Sequence, residues 1–248
     1  MGRFTDGIKH LLIINLLFFI GTALYGDLFY KLFSLWYVEN PNFSAWQIVS
    51  HMFMHGGLMH IVFNMYALWA FGTPLERMWG TRKFLFFYFS AGLGAALIHT
   101  GVNYYQVKQG LDALTAAGVA PSEVFDLMDQ GKYNEAWYQL VPSGVVDSML
   151  SSFLTPAVGA SGAIYGILVA FGMLFPNSEL FLIFLPVPIK AKYFIPVLIG
   201  LDLFSGVTGY SIFGNGIAHF AHVGGTLFGF IMMWYWKKNQ FNNNRWDI

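Results

Sequence analysis

The sequence predicts an all-α polytopic membrane protein: a bundle of six transmembrane helices with one helical insertion on the outer face. Three observations carry this. Of the 248 residues, 56% are hydrophobic and 10% charged, where soluble domains carry about 25% charged residues. Apolar stretches near the length of about 20 residues that crosses a hydrocarbon core recur six times. Glycine is abundant, at 27 residues, as suits membrane helices whose backbones approach closely through small side chains.

The first span runs from about Leu11 to beyond Tyr25. Arg3 and Lys9 precede it in the manner of a signal peptide, but no small-residue cleavage site follows, so it reads as retained. The second span covers about Gly56 to Leu75 and the third about Phe84 to Tyr105. The fourth covers about Pro156 to Phe175, the fifth about Tyr193 to Tyr210 and the sixth about Ile217 to Trp236. The fifth is the weakest of the six, because Asp202 and several glycines interrupt it. Between the third and fourth spans, residues 106–152 form an extramembrane insertion with six acidic residues and two lysines, read as a solvated acidic segment lying on the membrane surface. Within it, Pro121-Ser122-Glu123 and Gly131 mark the start and stop of one short helix, and Asn134 to Leu140 suits a second. Residues 1–248 make one membrane domain, without internal repeat or low-complexity tract.

With the N-terminus inside, Arg3, Lys9, Arg77, Arg82, Lys83, Lys190, Lys192, Lys237, Lys238 and Arg245 are cytoplasmic, against Lys31, Lys108 and Lys132 outside. That asymmetry places both termini in the cytoplasm. Thirteen basic residues balance thirteen acidic ones, so no global field argues for nucleic acid as a partner. No cysteine is present, which removes disulfides, thiolate metal sites and thiol nucleophiles together.

Polar groups inside a membrane are costly and mark function. The second span and its approach carry His51, His55, His60 and Asn64, the fourth carries Ser161, and the sixth carries His219 and His222. All three spans run from outside to inside. His60, Ser161 and His222 each fall about five residues into their spans, hence about 8 Å below the outer surface at 1.5 Å per residue. A nucleophile, a base and hydrogen-bond donors at one depth are the parts that acyl transfer needs. Ser161 near a helix N-terminus gains the positive end of the helix dipole and free N–H groups. His60 and Asn64 are four apart and share a helix face. Gly162 with Gly166, and Gly225 with Gly229, form small-residue faces through which the fourth and sixth helices can approach. Taken singly, each residue also has a packing explanation, and His99, isolated in the third span, is read as structural.

The stretch from His51 through His55 and His60 to Asn64, the Gly159-Ala160-Ser161-Gly162 motif, and Ala221-His222-Val223-Gly224-Gly225 together resemble the rhomboid family of intramembrane serine proteases. The resemblance implies a six-span bacterial-type rhomboid bundle in which Ser161 is the nucleophile and His222 the base of a dyad with no third acid. It further implies an oxyanion site formed by the Ser161 N–H with His60 and Asn64, a Tyr165 that packs on the imidazole, and a structural Glu76. The implied activity is endopeptidase cleavage of single-pass membrane proteins in or near their transmembrane segment, with no cofactor and no metal. Lipid bilayer and transmembrane substrates are then the partners, and a bacterial inner membrane the setting. The chain departs from the family in carrying Gln47 where a Trp-Arg pair is usual, and in its long insertion.

Two rival functions fit parts of the sequence. A catalytically silent rhomboid relative that binds transmembrane clients usually lacks the serine or the histidine, and both are present. A metal transporter or metalloprotease built on His51, His55, His60, His219 and His222 lacks a His-Glu-x-x-His motif, and no carboxylate is expected near those histidines. The fifth span, read as lacking any of the catalytic set, is the expected mobile side for substrate entry.

Overall fold

The computed structural model describes residues 4–182, 185–210 and 218–239; Arg3, Ile217 and Arg245, invoked above, lie outside these. In chain order the helices are α1 (Asp6–Tyr25), α2 (Asp27–Phe33), α3 (Gln47–Ser50), α4 (Leu58–Trp79), α5 (Thr81–Ala116), α6 (Pro121–Asp129), α7 (Trp137–Leu140), α8 (Ser143–Leu154), α9 (Ser161–Leu174), α10 (Ala191–Thr208) and α11 (His219–Lys238). The six expected spans are α1, α4, α5, α9, α10 and α11. Of these, α1, α5 and α10 are long and apolar enough to cross a membrane on those grounds alone. The others fall short for informative reasons: α4 and α11 carry the histidines, and α9 has only 14 residues.

The bundle is built around α9, in which every residue from Gly162 to Phe171 is buried. It packs against α4, α5, α10 and α11. The outward faces of the bundle remain apolar, with Leu24, Phe86, Leu97, Val197 and Val207 all exposed. A ring of unpartnered apolar side chains is what a lipid-facing surface requires. Burial against other helices takes in large apolar residues such as Phe84, Phe87 and Leu68 together with small and polar ones such as Ala163, Asn15 and Asp202.

Close approach is set by glycines. A Cβ on Gly225 would overlap the Gly162 carbonyl, and one on Gly229 would lie 2.6 Å from the Gly166 Cα. Backbones of α9 and α11 are therefore in direct contact, as the small-residue faces predicted. On the far side, Gly162 and Gly166 sit against Ala95 and Ala91 of α5.

At the opposite end from the site, Glu76 closes the bundle. Its carboxylate accepts hydrogen bonds from the Gly7 N–H (2.7 Å), the Ile8 N–H (2.9 Å), the Thr81 hydroxyl (2.6 Å) and the Thr5 hydroxyl. It caps the N-terminus of α1 from another helix, satisfying N–H groups that no residue of α1 can reach.

Two expectations need correction. The helix of the third span does not stop near Tyr105: α5 runs on to Ala116, eleven residues into the segment assigned to the insertion. The insertion is not a solvated segment lying loosely on the surface. Val107 and Leu114 of α5 pack with Val124, Met128, Trp137, Val146, Met149 and Phe153 into a second apolar core. The expected short helices are α6 and α7, and Gly131, at φ 70°, ends α6 as predicted. Between α9 and α10 the chain adds two short antiparallel strands, β1 (Glu179–Leu182) with β2 (Leu185–Lys190), pairing Glu179 with Lys190 and Leu180 with Ile189. A short apolar run has no decisive period, and Pro186 and Pro188 forbid helix there.

Replacing Glu76 by Ala strands several donors at once and is expected to lower stability by about 3 kcal/mol or more, given about 1.5–3 kcal/mol per hydrogen bond to a charged group. Thermal unfolding in detergent micelles measures it; an unchanged midpoint would contradict the capping role.

Candidate active site

Ser161 is the first residue of α9, and it stands where an irregular segment gives way to helix. That segment is held from outside. The Leu35 and Ala157 backbones exchange two hydrogen bonds of 2.9 Å, and the Gly159 N–H donates to the His51 carbonyl at 2.9 Å. Gly159 has φ 127°, a conformation that L side chains rarely adopt. The expectation that Ser161, His60 and His222 lie about five residues into their helices is therefore corrected. Ser161 is residue one of α9, His60 residue three of α4, and His222 residue four of α11. The 14-residue α9 is about 21 Å long, roughly 9 Å short of a 30 Å hydrocarbon core, so a span of full thickness would take in the irregular segment before Ser161. Irregular backbone at such depth is tolerated only when buried in protein.

The outer loop that holds this segment is itself anchored by Gln47, wholly buried. Its amide donates to the carbonyls of Lys31 (2.9 Å) and Asn42 (2.8 Å), and its oxygen accepts from the Ser44 N–H (3.1 Å). The departure noted at this position keeps the loop anchored by a neutral group. Trp46 adds a bond from its indole N–H to the Leu32 carbonyl at 2.7 Å.

Ser161 Oγ lies 2.8 Å from His222 Nε2. Below the imidazole, Tyr165 stacks with ring centroids 4.2 Å apart and planes 10° from parallel. One turn separates Ser161 from Tyr165 on α9, so the helix presents the hydroxyl and the stacking ring together. The glycine contact makes this possible: any side chain at Gly225, one turn below His222, would push α11 off α9.

His60 completes a concave corner. A point in the Cβ position of Gly159 would lie 2.9 Å from His60 Nε2 and 3.5 Å from Ser161 Oγ, so a small atom there could touch both. The Gly56 N–H donates to His60 Nδ1 at 3.3 Å. In the neutral ring this leaves the proton on Nε2, which faces the corner as a donor. Asn64 is buried one turn further along α4. Behind Ser161 is a cavity of about 20 Å³, bordered by His51, His99, Gly159 and Ala218 among others. A space above about 10–15 Å³ can hold one water. His99, read as structural, thus borders the site while its Nε2 lies 3.1 Å from the Asn103 amide.

The residue that sequence reasoning missed is Asp202 on α10. It is 1% exposed. One oxygen lies 3.1 Å from His222 Nδ1 and 2.6 Å from His219 Nδ1, and the other accepts the Tyr165 hydroxyl. Three expectations are overturned in geometry: a carboxylate does meet the histidines, the imidazole expected to act as base does have a carboxylate beside its second nitrogen, and the fifth span does carry a member of the cluster. The signal was available, since an ionisable residue inside a span is a functional candidate by default. Asp202, His219 and His222 could be mistaken for a ligand set, but spacings of 2.6 and 3.1 Å are those of direct hydrogen bonds.

The Rhomboid domain model matches residues 42–239 of this sequence, four-fifths of its length and every motif described above. The chain belongs to the rhomboid family. Rhomboid protein 1, mitochondrial, of Saccharomyces cerevisiae is 27% identical over 192 residues, covering 77% of this chain and 42% of the yeast protein. Presenilin-associated rhomboid-like protein A, mitochondrial, of Danio rerio is 27% identical over 202 residues, or 78% and 39% of the two chains. Presenilin-associated rhomboid-like protein, mitochondrial, of Rattus norvegicus is 30% identical over 184 residues, or 74% and 35%. This rhomboid chain spans less than half the length of these three relatives.

Gln47→Ala is expected to release the outer loop and cost about 2 kcal/mol, from the loss of several buried bonds worth about 0.5–1.5 kcal/mol each. Faster proteolytic nicking between residues 31 and 47 checks the loop; a wild-type nicking rate would show that Gln47 is not its anchor.

Proposed function

We propose that this rhomboid is an intramembrane serine endopeptidase that cleaves single-pass membrane proteins in or near their transmembrane segment. The observation that carries the reading is the 2.8 Å approach of His222 Nε2 to Ser161 Oγ, made between two apolar helices by residues 61 positions apart in the chain. Packing alone has no need of it.

In this reading Ser161 Oγ attacks the scissile carbonyl carbon while its proton passes to His222 Nε2, and the imidazolium then returns that proton to the leaving amine. The developing oxyanion is met by the Ser161 N–H, one of the unpaired groups at the start of α9, and by His60 Nε2–H from across Gly159. Asn64 is the further donor on the His60 face. Water for the second half-reaction has room beside Ser161. The substrate helix must unwind near the outer face, since a helical peptide bond is shielded, and the glycine-lined corner at Gly159 favours a small residue before the cut.

The Lys and Arg asymmetry supports cytoplasmic termini and an outward-opening site. That rule assigns a side and not an organelle. The sequence alone led to a bacterial inner membrane, whereas the three relatives are mitochondrial by name.

Ser161→Ala and His222→Ala are each expected to abolish cleavage of a model transmembrane substrate in proteoliposomes. His60→Ala should slow it by about 10²-fold, the usual loss for one oxyanion donor. A serine-directed phosphonate should modify Ser161 in a His222-dependent manner, read by mass spectrometry. Folded protein that neither cleaves nor reacts would favour the client-binding alternative. Gly225→Val should remove the phosphonate adduct as well, because it separates α9 from α11; retained labelling would refute the close-approach argument.

A further inference from the structure

We propose that Asp202 is a positioning carboxylate for His222, so that the site works as a triad whose acid comes from the fifth membrane helix. The inference rests on the Ser161–His222 reading and deepens it. Its basis is the orientation of one ring: His222 presents Nε2 to Ser161 Oγ at 2.8 Å and Nδ1 to Asp202 at 3.1 Å. An ionised carboxylate only accepts hydrogen bonds. Its neighbour at Nδ1 must therefore carry the ring proton, leaving Nε2 bare to receive the proton of Ser161. When that proton arrives, both ring nitrogens are protonated and the adjacent carboxylate stabilises the imidazolium. No proton moves to Asp202, and none is gained or lost in the exchange.

A structural role alone explains less. Taking a carboxylate out of water costs several kcal/mol after relaxation, unless its lone pairs are met by donors. Tyr165 and His219 supply two such donors, one to each oxygen, and an anchor would be complete with these. The third contact falls on the one nitrogen whose protonation decides whether Ser161 has a base. Tyr165 is tied into the same arrangement twice, stacking on the imidazole and donating its hydroxyl to Asp202. Ring plane and ring tautomer are thereby fixed by the same three residues.

The test is Asp202→Asn, assayed as full-length protein in proteoliposomes with a model transmembrane substrate. The amide is isosteric but can donate to Nδ1, which favours the tautomer with the proton on Nε2. The expected result is a kcat lower by about 10² or more, with KM within about twofold of wild type, since substrate binding is not touched. Phosphonate labelling of Ser161 should slow in parallel. In the His222→Ala background the same substitution should have no further effect on residual labelling, as two residues acting through one step are not additive. A folded Asp202→Asn protein with wild-type kcat would overturn the proposal. Ser161→Ala and His222→Ala run beside it: if these keep activity, the serine protease reading itself fails, whereas their loss with Asp202→Asn retained rejects only the triad. Should Asp202→Asn not fold, nitrogen-15 NMR of histidine-labelled wild-type protein decides, with the His222 signals assigned by their loss in His222→Ala. Nδ1 protonated and Nε2 bare is expected; the opposite tautomer overturns the proposal.

Discussion

The contact between the α9 and α11 backbones is the constraint on which the site depends. Ser161 and His222 sit on helices joined only through a long stretch of chain, and neither side chain is long. Their 2.8 Å approach requires the helix axes to come closer than ordinary side chains permit. Gly225 and Gly229 carry no Cβ where α11 meets the backbone of α9 at Gly162 and Gly166. Within lipid there is little hydrophobic gain from bringing two apolar helices together, so close van der Waals packing has to do it. The same glycines that let the bundle associate thus define the distance across which a proton could pass.

Around this seam, the membrane's intolerance of unpaired polar groups shapes everything polar. The segment before Ser161 is irregular, and its backbone is met by Leu35 and by the His51 carbonyl. That support depends on the outer loop, and the loop depends on Gln47, whose amide and carbonyl meet three backbone groups. An arginine at such a position offers more donors but brings a charge. A buried glutamine reaches the same carbonyls and also accepts an N–H, which a guanidinium cannot do. Asp202 follows the same logic from the fifth helix: with three donors converging on it, a buried carboxylate becomes tolerable, and the low dielectric strengthens each bond.

The insertion is a separate piece of the same economy. By extending α5 beyond the third span, the chain erects an outer platform on which α6, α7 and α8 bury Trp137, Met149 and Phe153. The platform is tied to the loop that supports the site: the Asn40 amide donates to the Phe153 carbonyl at 2.9 Å, and Tyr37 packs on the Phe153 ring. Outer layer and membrane bundle are thereby continuous through residues 35–47.

The sequence by itself determined the class, the six spans, and the helices bearing the chemistry, because hydropathy, glycine spacing and rare membrane histidines are all local or near-local signals. It also pointed to Ser161, His60 and His222 as one group, and these three do converge around Gly159 and the start of α9. It misplaced the start of α9 because Pro156 and Gly159 sit in an apolar run whose departure from helix depends on a partner strand at Leu35. It stopped the helix of the third span early because α5 is continued by contacts with helices that come later in the chain. Only the tertiary structure decided which face of the fifth helix looks inward. Asp202 read as a flaw in a hydrophobic segment, and nothing within α10 reveals its partners. Rotation of a helix about its own axis is set by what packs on it. Here that is Tyr165 from α9 and two histidines from α11, which no periodicity along a single span can register.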